Sequence, residues 1–221
     1  MNKLIVDEMR PVTLVGGGIL AEDDLKLALS LAPILLAADG GAGHALAQGH
    51  VPSAVIGDFD SISPQVFRQI PADRLFHMPE QDSTDFDKAM RSIRAPLILA
   101  VGFLGGRVDH QLAVLNALVQ DQGTPCILLG AHEVIFHIPP RIGLPLQAGD
   151  TVSLFPLRSV TAGSQGLEWP IKGLNFIPGG QIGTSNRATG PVELTTEGPG
   201  LLAMVPRRHF EAVMQAFLAM V

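Results

Sequence analysis

The sequence predicts an α/β N-terminal domain with a mostly parallel sheet and helices on both faces, followed by a small antiparallel β-sandwich or barrel domain. Two observations lead there. Apolar β-like runs alternate with helical patterns in the first part of the chain, and that alternation builds a parallel sheet covered by helices. From about Arg141 onward, short β-like runs are punctuated by glycine and proline, the texture of a small antiparallel β-domain. The expected boundary separates residues 1–138 from residues 139–221, the second part ending in a helical tail.

The elements follow in order. "VTLVGG" (12–17) reads as a strand, and "EDDLKLALSLA" (22–32) has apolar residues at helical spacing after an acidic first turn. "ILLAADGG" (34–41) is the next strand, and "GAGHALAQG" (41–49) a short helix ended by Gly49. "SAVIGDFDS" (53–61) is a third strand with aspartates at its C-terminal end. "SPQVFRQI" (63–70) begins a helix with Ser63 as N-cap and Pro64 at the first helical position. "TDFDKAMRSI" is helical, "PLILAVGF" a strand, "RVDHQLAVLNALVQDQG" a long helix closed by Gly123, and "PCILLG" a strand. Beyond Arg141, "GDTVSLFPL", "SVTAGSQGLEWPI", "GQIGTSNRA", "GPVELTTEG" and "GLLAMVP" are β-like. "RRHFEAVMQAFLAMV" is helical, with Phe210, Val213, Met214, Phe217 and Leu218 spaced for packing or for a subunit interface.

Composition narrows the function classes. The 221 residues are 47% hydrophobic and 16% charged, enough apolar material for one large or two modest cores. A net charge of −6 and the lack of a basic stripe argue against nucleic acid as a partner, and suit a cation as ligand. Apolar runs fall short of the roughly 20 residues of a membrane span, and no signal peptide is read at the N-terminus. The single cysteine, Cys126, excludes internal disulfides and a thiolate metal cage; cytoplasm is the expected location.

Chemistry concentrates in four stretches just after expected strands, where open α/β sheets bind ligands. These are "ADGGAG" with Asp39, "GDFDS" with Asp58 and Asp60, "QDSTDFDK" with Asp82 and Asp85, and "GFLGGRVDH" with Arg107 and Asp109. Asp58 and Asp60 are two positions apart, which in an extended strand points both carboxylates to one side. Either a cation sits between them, magnesium being the natural choice for carboxylate and phosphate oxygens, or they form a solvated Asx-type turn. In "QDSTDFDKAM", Asp82, Ser83 or Thr84 is a candidate N-cap, with Asp85 or Asp87 favourable to the helix dipole. Lys88 offers a positive partner for phosphate. Gly102, Gly105 and Gly106 before a helix allow close backbone approach, and Arg107 suits phosphate oxygens. "LVGGGIL" lacks G-x-G-x-x-G spacing and no P-loop occurs, though Gly16 to Gly18 fit a place near a nucleotide.

Taken in order, "ADGGAG", "GDFDS", "QDSTDFDKAM" and "GFLGGRVDHQLA" resemble the motif series of the thiamin pyrophosphokinase family. "GLEWPI" and "TSNRA" resemble that family's β-domain, and the likeness covers roughly residues 12 to 205. The resemblance implies Mg2+-dependent transfer of the pyrophosphoryl group of ATP to the hydroxyl of thiamin, giving thiamin diphosphate and AMP. It also implies a homodimer with active sites between subunits. Asp58, Asp60 and Asp85 would hold magnesium and phosphates. Asp39, Gln81, Asp82, Lys88 and Arg107 would line the nucleotide and triphosphate site, with Asp109 nearby. Trp169, Ser185 and Asn186 would face thiamin, the tryptophan offering its ring to the thiazolium cation. Two positions depart from the family pattern: His44 and Val114 stand where asparagine is expected.

Two other functions fit some of these residues. A magnesium-dependent phosphohydrolase would use the Asp-x-Asp pair, but here the pair follows the third strand and no separate lysine motif stands out. A non-catalytic thiamin or nucleotide sensor would be expected to have lost the acidic residues, and Asp58, Asp60, Asp82 and Asp85 are all present.

Overall fold

The computed structural model describes residues 4–120 and 123–220. The chain forms two compact units, Met1–Ala117 with Asp121–Ala131, and Leu118–Gln120 with His132–Val221. The main division thus falls between Ala131 and His132, ahead of the 138/139 boundary expected. The reason is a strand at Glu133–His137 that pairs antiparallel with Leu202–Pro206 and so belongs with the β-rich part.

In the first unit the chain runs β1 (Val6–Asp7), β2 (Val12–Val15), α1 (Asp24–Leu31), β3 (Ile34–Ala38), α2 (Gly41–Ala47), β4 (Ala54–Gly57) and α3 (Pro64–Phe67). It continues through β5 (Leu75–His77), α4 (Asp85–Ser92), β6 (Ile93–Arg94), β7 (Ile98–Val101), α5 (Val108–Leu118) and β8 (Cys126–Leu129). Six strands lie in the order β8-β7-β2-β3-β4-β5, every pairing parallel. Residues of β2, β4, β7 and β8 are buried throughout, which is why these strands read as unbroken apolar runs. The chain moves outward from β2 through β3, β4 and β5, then returns to add β7 and β8 on the other side. That reversal places a topological switch point beside the carboxyl end of β2.

Short elements escaped the sequence reading. β1 and β6 form a separate parallel pair of two residues each, and β5 has only three residues, too few to show a period. α3 is a single turn, capped by Ser63, whose side chain accepts from the Val66 amide. The long helix expected to reach Gly123 ends at Leu118; Asp121 and Gln122 lie outside the described residues, as do Met1–Lys3 and Val221.

The second unit contains β9 (Glu133–His137), β10 (Arg141–Leu144), β11 (Thr151–Pro156), β12 (Val160–Leu167), β13 (Leu174–Phe176), β14 (Gly183–Thr196), β15 (Leu201–Pro206) and α6 (Phe210–Leu218). Among the described residues its strands pair antiparallel, in the order β13-β12-β14-β11-β15-β9 with β10 also on β14. β14 is the organising strand: Gly183–Arg187 pairs with β11, and Val192–Thr195 pairs with β10. α6 packs inward, burying Phe210, Val213, Met214 and Phe217, with the Phe217 ring edge-on to Phe136 at 5.5 Å. Its entry is tied down by buried Asp150, which bonds His209 Nε2 at 2.6 Å and pairs with Arg208. Among the described residues, no helix is long and apolar enough to cross a membrane.

α2 presses against β2 so tightly that a Cβ on Gly41 would lie 2.1 Å from the Val15 carbonyl oxygen. Gly41→Ala is expected to cost about 3 kcal/mol, since backbone meets backbone and neither can yield. Gly43→Ala, whose Cβ would meet nothing closer than Val66 at 3.9 Å, is expected to be neutral or stabilising by up to about 1 kcal/mol. Urea unfolding of both variants checks the contrast.

Candidate active site

The ends of β2, β3, β4 and β7 and the starts of α4 and α5 surround a cleft of about 940 Å³. Its back is made of backbone. The Gly18 amide donates to the Gly102 carbonyl at 2.7 Å, and a Cβ on Gly18 would sit 2.7 Å from that oxygen. Gly102 itself has φ +74°, so glycine is required there on conformational grounds as well.

Acidic side chains converge on the floor. Asp39 closes β3 at φ +41° and is 2% exposed. One of its oxygens, Oδ2, accepts the Ser61 amide at 3.1 Å; the other, Oδ1, is buried without a hydrogen-bond partner. Gly57 makes room for it, since a Cβ there would lie 2.8 Å from the Asp39 Cβ. Asp58 and Asp60 follow β4, but the strand ends at Gly57. The extended geometry expected for the pair is replaced by a bend, with Phe59 at φ +67° and the Asp60 amide donating to Asp58 Oδ1 at 3.3 Å. The Asx-type turn and the convergence coexist: Asp39, Asp58 and Asp60 each offer an oxygen within 4.8 Å of the others.

α4 supplies the counter-charge. Thr84 is its N-cap in a full capping box with Asp87, which turns the first helical residue, Asp85, and Lys88 toward the cleft. Lys88 is 1% exposed and donates to Asp58 Oδ2 at 2.9 Å and Asp85 Oδ1 at 3.1 Å. Its hydrogen bond, with a smaller opposing effect of burial, holds the Asp58 carboxyl below its ordinary pKa. Burial pushes Asp85 up in spite of Lys88, and burial likewise raises Asp39 against its bonds to Ser61. For Lys88, burial pulls the ammonium down, but its two carboxylates outweigh that and leave it raised. Gln81 Nε2 donates to Asp58 Oδ2 at 3.1 Å.

At the other rim, Arg107 precedes α5. Its guanidinium is held sideways by Asp109, with Nε to Oδ1 at 3.1 Å and Nη2 to Oδ2 at 2.6 Å, and this contact lowers Asp109 to about 2. Both are exposed. Arg107 lines the cleft; Asp109 and exposed Asp82 do not. His44 and Val114 both line it, His44 Nε2 lying 3.0 Å from the Gly18 carbonyl oxygen.

In the second unit, Trp169, Ser185 and Asn186 come together through β12 and β14. Trp169 is 53% exposed. Asn186 is buried, and its side chain is spent on backbone: Oδ1 accepts from the Trp169 and Arg187 amides, and Nδ2 donates to the Trp169 carbonyl at 2.7 Å. Ser185 has φ +60°, and its amide donates to Ser153 Oγ at 3.0 Å. Arg187, which the sequence reading passed over, lies 5.8 Å over the Trp169 ring and pairs with Glu168. No local signal marks it, because strand pairing alone brings it there.

Of the residues singled out in the sequence, Asp39, Asp58, Asp60, Gln81, Asp85, Lys88 and Arg107 lie around one cleft. The three carboxylates with oxygens in mutual reach are Asp39, Asp58 and Asp60, whereas the sequence grouped Asp58 and Asp60 with Asp85. A buried carboxylate oxygen without a partner is costly unless a cation or proton meets it, and three carboxylates with oxygens in reach of one point suit a hard divalent cation.

The family model described as "Thiamin pyrophosphokinase, catalytic domain" matches residues 25–128, and "Thiamin pyrophosphokinase, vitamin B1 binding domain" matches residues 133–201. Thiamine pyrophosphokinase 1 of Arabidopsis thaliana is 30% identical over 189 residues, covering 70% of this chain and 71% of that protein. Thiamin pyrophosphokinase 1 of Caenorhabditis elegans is 28% identical over 155 residues, covering 62% of this chain; the match spans 63% of that relative. With thiamine pyrophosphokinase 1 of Oryza sativa subsp. japonica, 30% identical over 154 residues and 61% of this chain, the match spans 58% of the relative. The fold is that of thiamin pyrophosphokinase from Candida albicans, with TM-score 0.74, 16% identity, and 93% and 97% of the two chains covered. The Bacillus subtilis thiamine pyrophosphokinase structure gives TM-score 0.70 at 23% identity, with 89% and 98% covered.

Lys88→Met leaves two carboxylates facing each other without a cation and is expected to destabilise the metal-free protein by about 2 kcal/mol at pH 7. Asp58 has a folded pKa below its unfolded value, so its contribution is present above pH ~4 and is lost as pH falls through the folded pKa. Urea unfolding in chelator should therefore show the gap between wild type and variant persisting from pH 7 down to about pH 4 and narrowing below it.

Proposed function

Because this chain belongs to the thiamin pyrophosphokinase family, we propose that it transfers the pyrophosphoryl group of ATP to the hydroxyl of thiamin, releasing AMP and thiamin diphosphate. The observation that carries the reading is the convergence of Asp39, Asp58 and Asp60, with Asp39 Oδ1 buried and unpartnered, on the floor of a cleft of about 940 Å³. In this reading Asp58 and Asp60, joined by Asp39, hold Mg2+. Bound there, the ion would neutralise triphosphate charge and favour attack on phosphorus.

The chain's own residues do the rest. Lys88 holds Asp58 ionised and orients both Asp58 and Asp85; Asp85 completes the acidic wall. Arg107, exposed and bound to Asp109, exchanges that partner for a triphosphate oxygen, a match its planar guanidinium favours. Gln81 steadies Asp58, and Asp82 and Asp109 flank the nucleotide side. The thiamin hydroxyl attacks the β-phosphorus, the bond to the α-phosphoryl oxygen breaks, AMP leaves, and a cleft carboxylate takes the hydroxyl proton. Trp169 offers an exposed ring face to the thiazolium cation, with Asn186 fixing its backbone and Ser185 beside it. The proposal extends to a homodimer with active sites between subunits, on the family resemblance, and to a cytoplasmic location, on the single-cysteine composition.

Incubation with ATP, Mg2+ and thiamin should yield AMP and thiamin diphosphate in equal amounts. Free phosphate without thiamin diphosphate would indicate a phosphohydrolase, and ligand binding without turnover a sensor. Asp58→Asn is expected to lower kcat by about a thousandfold with the fold intact by circular dichroism; near-normal turnover would remove Asp58 from the site. Trp169→Ala should raise KM for thiamin by about tenfold while leaving KM for ATP unchanged, and an unaltered thiamin KM would assign the ring to packing.

A further inference from the structure

Phe59 stands between the two aspartates of the β4 turn with φ +67°. A bulky side chain in the left-handed region is a genuine outlier, persisting only where surrounding contacts over-determine it. Those contacts are present. The Phe59 ring lies edge-on to Phe67, the last residue of α3, at 5.7 Å, and tilted against His77, the last residue of β5, at 5.4 Å. The conformation matters to its neighbours: with Phe59 left-handed, the Asp60 amide reaches Asp58 Oδ1, and the Ser61 amide reaches Asp39 Oδ2 at 3.1 Å. An extended residue 59 would carry Asp60 and Ser61 along the strand direction, away from Asp39.

We propose that Phe59 is a positioning residue whose ring, held between Phe67 and His77, maintains the left-handed turn that converges Asp58 and Asp60 with Asp39. Its consequence for metal binding rests on the reading that these carboxylates hold a divalent cation. Glycine would adopt this backbone conformation freely, but it would not hold it. The phenylalanine supplies the anchor that glycine lacks, and the turn is selected by contacts made outside it.

The test compares Phe59→Ala, Phe59→Gly and Phe59→Tyr in the full chain without ATP or thiamin. Two quantities are read: Mn2+ affinity, by the loss of free-ion electron paramagnetic resonance signal, and hydrogen exchange of the Ser61 amide. Phe59→Ala should bind Mn2+ about tenfold more weakly, the usual effect of removing a partner that orients a metal ligand, and should exchange the Ser61 proton faster. Phe59→Gly should fall between, and Phe59→Tyr should match wild type because it keeps the ring. Wild-type affinity and exchange in Phe59→Ala, with only a lowered Tm, would overturn the proposal by reducing Phe59 to a packing residue. Absence of Mn2+ binding by the wild-type chain would defeat the metal reading alone; the Ser61 exchange rates would then still uphold or overturn the role of Phe59.

Discussion

A buried carboxylate with one oxygen unpaired is the constraint around which the first unit is arranged. Asp39 sits at the end of β3, 2% exposed, its Oδ2 satisfied by Ser61 and its Oδ1 by nothing. Such a group is expensive in an apolar interior, and nearby residues act to keep it in place. Gly57 has no side chain because one would strike it, Ser61 is brought to it by the β4 turn, and the left-handed backbone at Asp39 itself aims the carboxyl. The parallel sheet contributes the geometry. Because β2, β3, β4 and β7 all end on the same edge, the residues just beyond them share one cleft.

Charge is then distributed unevenly among the remaining carboxylates. Lys88, almost wholly buried, is matched to Asp58 and Asp85 together. Asp58 is consequently held ionised, while Asp85 and Asp39 are pushed toward protonation by burial. The floor is therefore graded. A cation arriving there would favour the charged form of each. Arg107, exposed at the rim of the cleft and paired with Asp109, is by contrast available to an incoming anion.

The second unit uses a different device. Its long strand β14 serves β11 with its first half and β10 with its second, so the residues at its start are held by pairing with β11, while β12 pairs with β14 at Ala188 and from Glu193 to Thr196. Asn186 adds a side-chain clamp on the main chain of Trp169. An exposed indole is thereby fixed at its base, and Arg187 lies over its ring. The amide of Asn186 is committed to the protein, which gives it an orienting role toward Trp169.

The sequence by itself determined the alternation of strands and helices, the change to a β-rich second part, and the acidic and basic residues that meet in the cleft. These were legible because apolar periodicity and turn chemistry are local. A cap among Asp82, Ser83 and Thr84 was legible for the same reason, since capping involves a few consecutive residues, and the structure selects Thr84. Only the tertiary structure decided which carboxylates converge. Asp39 and Asp58 follow different strands, so their meeting depends on strand order and register. The left-handed Phe59 depends on Phe67 and His77, and the clamp on Trp169 depends on a strand pairing. Two- and three-residue strands such as β1, β5 and β6 were likewise set by their partners, because a segment that short carries no period of its own. Local pattern chose the elements and the chemistry, and long-range contact chose the geometry.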